Sequence, residues 1–273
     1  MEDRNLINRL EIFVRENRLL LALVMPIMGA VLLVASKEMI LPPWLSFNPY
    51  IVLIGTALMR LPLIVAILPL INRKNGILLL LLTGYVYFIE YIGIRYGWPY
   101  GNFQYLVELG PMISDIPMAL PLFFIPLVLN GYLLTLLIVN KYPINQRLII
   151  PISIVVIILI DLVLDPAAVS LGFWSYGNGG EFYGVPYTNY QGWLLSGGIS
   201  VLVVSRVFNR KKLLARIEEC EFGLDDMISF VLLWGLVNTY HNNWIPTFIV
   251  IMLIAGLWWV ERIDIKNILN RNK

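Results

Sequence analysis

The chain has 273 residues, of which 59% are apolar and 14% charged, and its mean hydropathy is +0.76. A soluble domain carries about a quarter charged residues, so a water-soluble globule, a disordered segment and a coiled coil are excluded. Lys+Arg 20 against Asp+Glu 18 leave a net charge of +2, too small a basic excess for a nucleic-acid binder.

A bilayer core of ~30 Å is crossed by about 20 apolar residues in a helix. Eight stretches are predicted to do this: Leu19–Ser36, Tyr50–Ile71, Ile77–Ile94, Ile116–Val139, Leu148–Leu164, Gly192–Phe208, Met227–Asn238 and Trp244–Val260. The first has an Arg-bearing leader, as a signal peptide would. No small-residue cleavage site follows it, and Lys37-Glu38 leads into Pro42-Pro43, so it reads as a retained helix. The fold class is therefore an all-α, polytopic membrane bundle in one domain, residues 1–273. A basic segment, 1–18, leads into it, and a basic tail, 261–273, ends it.

Loop charge gives an orientation, because Lys and Arg collect on the cytoplasmic side. Arg4, Arg9, Arg15 and Arg18 precede the first span. Arg73 and Lys74, then Lys141 and Arg147, then Arg210, Lys211, Lys212 and Arg216 fall in every second connection. Arg262, Lys266, Arg271 and Lys273 follow the last span. The remaining connections carry only Lys37 and Arg95. The alternation predicts both termini in the cytoplasm of a cell-membrane protein.

The two long outer loops, Gly97–Asp115 and Gly172–Gln191, are rich in Gly, Pro, Tyr and Trp. Gly97-Trp-Pro-Tyr-Gly-Asn-Phe-Gln104 matches Gly184-Val-Pro-Tyr-Thr-Asn-Tyr-Gln191 at five of eight positions. This predicts a duplicated hairpin, the third and fourth spans being related to the fifth and sixth. The alternative is convergence, since aromatic loops are common at membrane interfaces.

A charge in hydrocarbon costs several kcal/mol, so such residues usually face the protein interior and carry function. Arg60, Glu90, Asp161 and Asp165 stand out. No ionisable residue is predicted in the inner half of a span. At ~1.5 Å per residue, Asp161 lies roughly 20 Å along its helix, beneath the aromatic loops, as does Glu90. Asp161 and Asp165 are four apart and share a helix face. Two carboxylates in one dry site do not both ionise cheaply, so one is expected to keep its proton, as general-acid chemistry requires. Pro166 disfavours helical geometry at Asp165, which predicts that the helix opens into the loop there. The structural alternative is an ion pair in which Arg60 neutralises one of these carboxylates. The aromatic residues above them form either an interfacial belt or the wall of an apolar site whose ring faces stabilise a cation.

One His and one Cys leave no disulfide, no Cys-ligated cluster and no histidine-box iron site. Cys220 is expected to be inert, and His241 to be a loop residue. No nucleotide-binding glycine motif is present. The chemistry must run on carboxylates, Arg, Tyr, Trp and Asn, with no cofactor.

Three blocks carry a resemblance. They are Glu90-Tyr-Ile-Gly-Ile-Arg-Tyr-Gly-Trp-Pro-Tyr-Gly-Asn-Phe-Gln-Tyr105, Asp161-Leu-Val-Leu-Asp-Pro-Ala-Ala-Val-Ser-Leu-Gly-Phe-Trp-Ser-Tyr176 and Tyr183-Gly-Val-Pro-Tyr-Thr-Asn-Tyr-Gln-Gly-Trp193. In this order, over roughly residues 85–195, they resemble the membrane carotenoid biosynthesis family, which includes hydratases. The resemblance implies an acyclic carotenoid substrate held among membrane lipids, a tertiary alcohol product and no redox cofactor. Other membrane enzymes of carotenoid synthesis would be its partners. On this reading Asp161, Asp165 and Glu90 are catalytic. Arg60, Tyr100, Tyr105, Trp174, Tyr183, Asn189 and Trp193 bind the substrate or orient water. Rival readings are end-group cyclisation or isomerisation, which share the protonation step, prenyl transfer, and proton-coupled transport.

Overall fold

The computed structural model describes residues 2–263, and side chains from residue 6 onward. Residues 264–273, including Lys266, Arg271 and Lys273 of the predicted tail, lie outside the described residues, as does the Arg4 side chain.

Helix α1 (Glu2–Glu16) is charged along one side and lies at the end of the bundle. Its Glu11 and Arg15 pair with Arg216 and Glu221. A widened π-helical turn, Leu20–Val24, precedes Pro26 and leads into α2 (Met25–Lys37). Asn48 accepts from the N–H groups of Tyr50 and Ile51 and so starts α3 (Pro49–Ile67). Asn72 does the same for α4 (Arg73–Tyr96). Helix α5 (Leu120–Lys141) is apolar on all sides and forms the centre, buried along most of its length. Helices α6 (Ile149–Leu171), α7 (Tyr187–Val207), α9 (Asp225–Tyr240) and α10 (Trp244–Trp259) complete the bundle. The short α8 (Arg210–Glu219) leaves α7 at 86°.

All eight predicted stretches are largely helical. By length and composition five helices among the described residues can cross a membrane, or six if α7 and α8 are one bent span. Helices α9 and α10 have 16 residues each. The protein is thus multi-pass and membrane-type.

Four expectations are corrected. The fourth span was expected from Ile116, but Ile116–Pro117 (β3) pairs with Met112–Ile113 (β2), and the helix begins at Leu120. The fifth was expected to open at Asp165, yet α6 runs through Pro166 to Leu171. Proline frees carbonyls one turn earlier, and a bundle tolerates this when side chains satisfy them. Here Asn238 Nδ2 donates to Val163 O, one turn before the proline, at 2.8 Å.

The matching octapeptides are not equivalent in position. Gly97–Gln104 follows the end of α4 and enters strand β1 (Phe103–Tyr105), whereas Gly184–Gln191 runs into the first turn of α7. The related features are instead β1 and β4 (Trp174–Tyr176), which pair antiparallel with Gln104 opposite Ser175. Finally, the bundle does bury ionisable groups at its other end. Asp225 and Asp226 open α9 and are fully buried, paired with Arg18 and Arg60.

Candidate active site

Helices α4 and α6 each end on a glycine in the left-handed region, Gly97 (φ 67) and Gly172 (φ 75), where a Cβ would be strained. Each chain then turns over the bundle and forms one strand of the β1–β4 ribbon. The ribbon roofs a cavity of about 440 Å³.

Asp161 and Asp165 lie on the inward face of α6, at 0% and 5% exposure, beneath this roof. Asn189, in the first turn of α7, bridges them. Its Nδ2 donates to Asp161 Oδ2 at 3.0 Å and to Asp165 Oδ2 at 2.5 Å. Tyr176, the last residue of β4, donates its hydroxyl to the same Asp165 oxygen at 2.8 Å. Asp161 Oδ1 is buried without a hydrogen-bond partner among the described residues. Glu90 on α4 is also buried, and Tyr105, the last residue of β1, donates to its Oε1 at 2.6 Å.

No ion pair reaches Glu90, Asp161 or Asp165 among the described residues. Arg60, which the structural alternative would pair with one of them, instead binds Asp226 Oδ1 at 2.6 Å. Asn130 donates to the other Asp226 oxygen at 2.7 Å. Arg60 still lines the cavity, at the end away from the aspartates. Three carboxyls thus share a poorly solvated region with donors but no countercation. Such a region favours proton transfer over retention of several fixed negative charges. Among the described residues no group of three or more His, Cys, Asp or Glu is arranged to hold a metal.

The aromatic residues form the cavity's upper wall. Trp193 stacks on Phe124 with ring centroids 4.7 Å apart and an interplanar angle of 13°. Tyr100 lies edge-on to Phe103, and Trp174 edge-on to Tyr105. Tyr183 stands apart: its hydroxyl accepts from Ile245 N, tying the second loop to α10, and it does not line the cavity.

Sequence reasoning passed over Tyr176, Phe124 and the Arg60 partner Asp226. Tyr176 stood in a recognisable block, but a strand of three residues leaves no period to show where its hydroxyl turns. Asp225 and Asp226 resemble ordinary acids at a helix N-terminus. Cys220 is buried, and burial pushes its thiol up to about 11, which leaves little reactive thiolate.

A multi-pass bundle that encloses an apolar cavity with buried carboxyls has the make-up of a membrane protein that acts on a hydrophobic molecule. The chain belongs to the carotenoid biosynthesis protein family, whose model matches residues 47–257. It is similar to bisanhydrobacterioruberin hydratase of Haloarcula japonica, with 51% identity over 253 residues, 92% of this chain and 86% of that protein. No solved structure matches it.

Proposed function

We propose that this protein adds water across the terminal double bond of an acyclic carotenoid. One observation carries the reading: Glu90 and Asp165 line an apolar cavity, and Asp161 is buried behind them, joined to Asp165 through Asn189; all three are hydrogen-bonded to Tyr or Asn and, among the described residues, to no cation. The relative's name supports hydration as the outcome.

One carboxylic acid of the Asp161/Asp165 pair gives its proton to the less substituted alkene carbon. The π electrons form that C–H bond, and a tertiary cation is left on the neighbouring carbon. The new carboxylate stabilises the cation strongly because the site is dry, and the faces of Trp174 and Trp193 add to this. Water forms the C–O bond, and Glu90, oriented by Tyr105, takes its surplus proton. Return of that proton to the aspartates restores the starting state. Alkene plus water gives a tertiary alcohol with no net electron transfer, so no redox cofactor is required. The loop charges support a cell-membrane enzyme with cytoplasmic termini and its carboxyls towards the outer face.

The test is product analysis in membranes that contain an acyclic carotenoid, run in heavy water. Gain of one water per modified end, with one deuterium bound to carbon, is expected. An isomer that has gained no water, heavier only by the deuterium it carries, would reassign the enzyme to cyclisation or isomerisation. Unaltered pigment beside folded protein would overturn the reading.

A further inference from the structure

The cavity extends well past the carboxyls. From Glu90 and Asp165 it continues between α2, α3 and α9 to Arg60 and Ser229. This stretch is walled by flexible apolar side chains, among them Met25, Leu32, Met59 and Leu233. Its lower end is closed by the Arg60–Asp226 pair.

Of all the lining residues only Leu20, Met28 and Ile51 are exposed, at 46%, 56% and 63%. Leu20 and Met28 belong to the turn before α2 and to α2 itself, and Ile51 belongs to α3. They mark where the cavity meets the bundle's outer surface. Gly55 lies on the α3 wall, and a Cβ built there would meet nothing within 4 Å.

We propose that the seam between α2 and α3 is a lateral portal, and that the corridor behind it holds the polyene of the substrate while the end group sits at the carboxyls. Size and chemistry favour this occupant, given the function proposed above. A cavity of about 440 Å³ is in the range that encloses a drug-sized ligand. A carotenoid is a chain of tens of carbons whose extended length rivals the ~30 Å hydrocarbon core. Its end group and nearest isoprene units fill the corridor, and the rest must leave through the opening. Only lipid is an acceptable exit for a polyene, because its transfer to water is unfavourable along its whole length. Methionines on the corridor wall suit a long apolar ligand, since their unbranched side chains adapt to irregular contacts.

The test uses the full chain purified from membranes that contain an acyclic carotenoid. Bound polyene is read by its absorbance, and hydration by product mass. Gly55→Trp fills the corridor, Met28→Trp narrows its mouth, and Leu80→Trp is a control on the exposed face of α4, away from the cavity. Overpacking of this kind costs a well-fitted ligand about tenfold in retention, and that loss is expected in Gly55→Trp. Met28→Trp, on the exposed surface, keeps the test valid if Gly55→Trp does not fold, and the same loss is expected of it. Leu80→Trp should retain pigment as the original chain does. Equal retention in all variants overturns the portal, as does an original chain that binds no polyene because lipid acyl chains fill the corridor. Bound polyene lost in the corridor variants, with no water gained even by the original chain, would uphold the portal and sink the hydratase reading alone.

Discussion

Glu90 and Asp165 occupy matching stations on two different helices. Each stands seven positions before a left-handed glycine, 90 before 97 and 165 before 172. Each carboxyl accepts a hydrogen bond from the tyrosine that ends the strand beyond that glycine, Tyr105 and Tyr176 respectively. The glycines stop α4 and α6 at the same height above their carboxyls. Antiparallel pairing of the two strands then turns both hydroxyls back over the cavity. The site is therefore made of two like halves, α4 with β1 and α6 with β4.

Tyr105→Phe and Tyr176→Phe test whether both halves serve the reaction. A hydrogen bond to a charged group contributes about 1.5–3 kcal/mol, or roughly 10–100-fold in rate if it acts in the transition state. Each variant is expected to slow water addition by that factor while keeping its thermal midpoint near that of the original chain. Initial rates by mass spectrometry check this. Rates within twofold of the original for both variants would reduce the tyrosines to packing residues.

Asn189 is the only described side chain that bridges both aspartates. Asn189→Leu removes its amide and leaves the two carboxyls to repel or to share a proton directly. Hydration is expected to fall at least as far as in Tyr176→Phe, because two hydrogen bonds are lost together. Asn189→Gln, which keeps the amide on a longer stem, should recover part of the rate. Full activity in Asn189→Leu would remove Asn189 from the machinery.

Much of this arrangement was legible before the structure. Asp161 and Asp165 announced a shared face by their spacing, and Glu90 by its depth in a span. Asn189, Trp174 and Trp193 came from the blocks that carry the family resemblance. What was not legible depended on partners distant in sequence. Pro166 read as a helix end because local geometry says so, whereas Asn238, 75 residues away from Val163, satisfies a carbonyl near the proline. The alternative that paired Arg60 with the aspartates missed Asp226, 166 residues away and just outside the shortest apolar stretch, Met227–Asn238. The resemblance between the octapeptides was real as sequence, but helical register placed one after α4 and the other at the start of α7.

The Arg60–Asp226 pair should prove structural. Removing one member of a buried pair leaves an uncompensated charge and typically costs about 3–5 kcal/mol. Asp226→Asn is expected to lower the thermal midpoint in detergent sharply. Arg60→Met with Asp226→Leu should recover most of that loss, since apolar pairs of similar volume often replace buried ion pairs without cost. The folded double variant should still hydrate the end group. Loss of turnover in a double variant of normal stability would instead assign Arg60 to the reaction.

Gly192 sets the position of the aromatic wall. A Cβ on it would stand 2.5 Å from Tyr100 Cδ1 and 2.9 Å from Pro99 O, so the loop after α4 packs directly on the α7 backbone here. Gly192→Ala must push that loop away, and overpacking of this kind costs about 1–3 kcal/mol. Tyr100 lines the cavity 6.5 Å from Trp193, whose other contact is the stacked Phe124, so the displacement falls on the ring faces proposed to stabilise the cation. The expected signature is a loss of rate larger than the loss of bound polyene, because the polyene is held lower in the cavity by α2 and α3. Polyene absorbance and product mass on one sample give both quantities. Equal losses would mean that the variant has disturbed the whole cavity, and that the aromatic wall has no separate part in the chemistry.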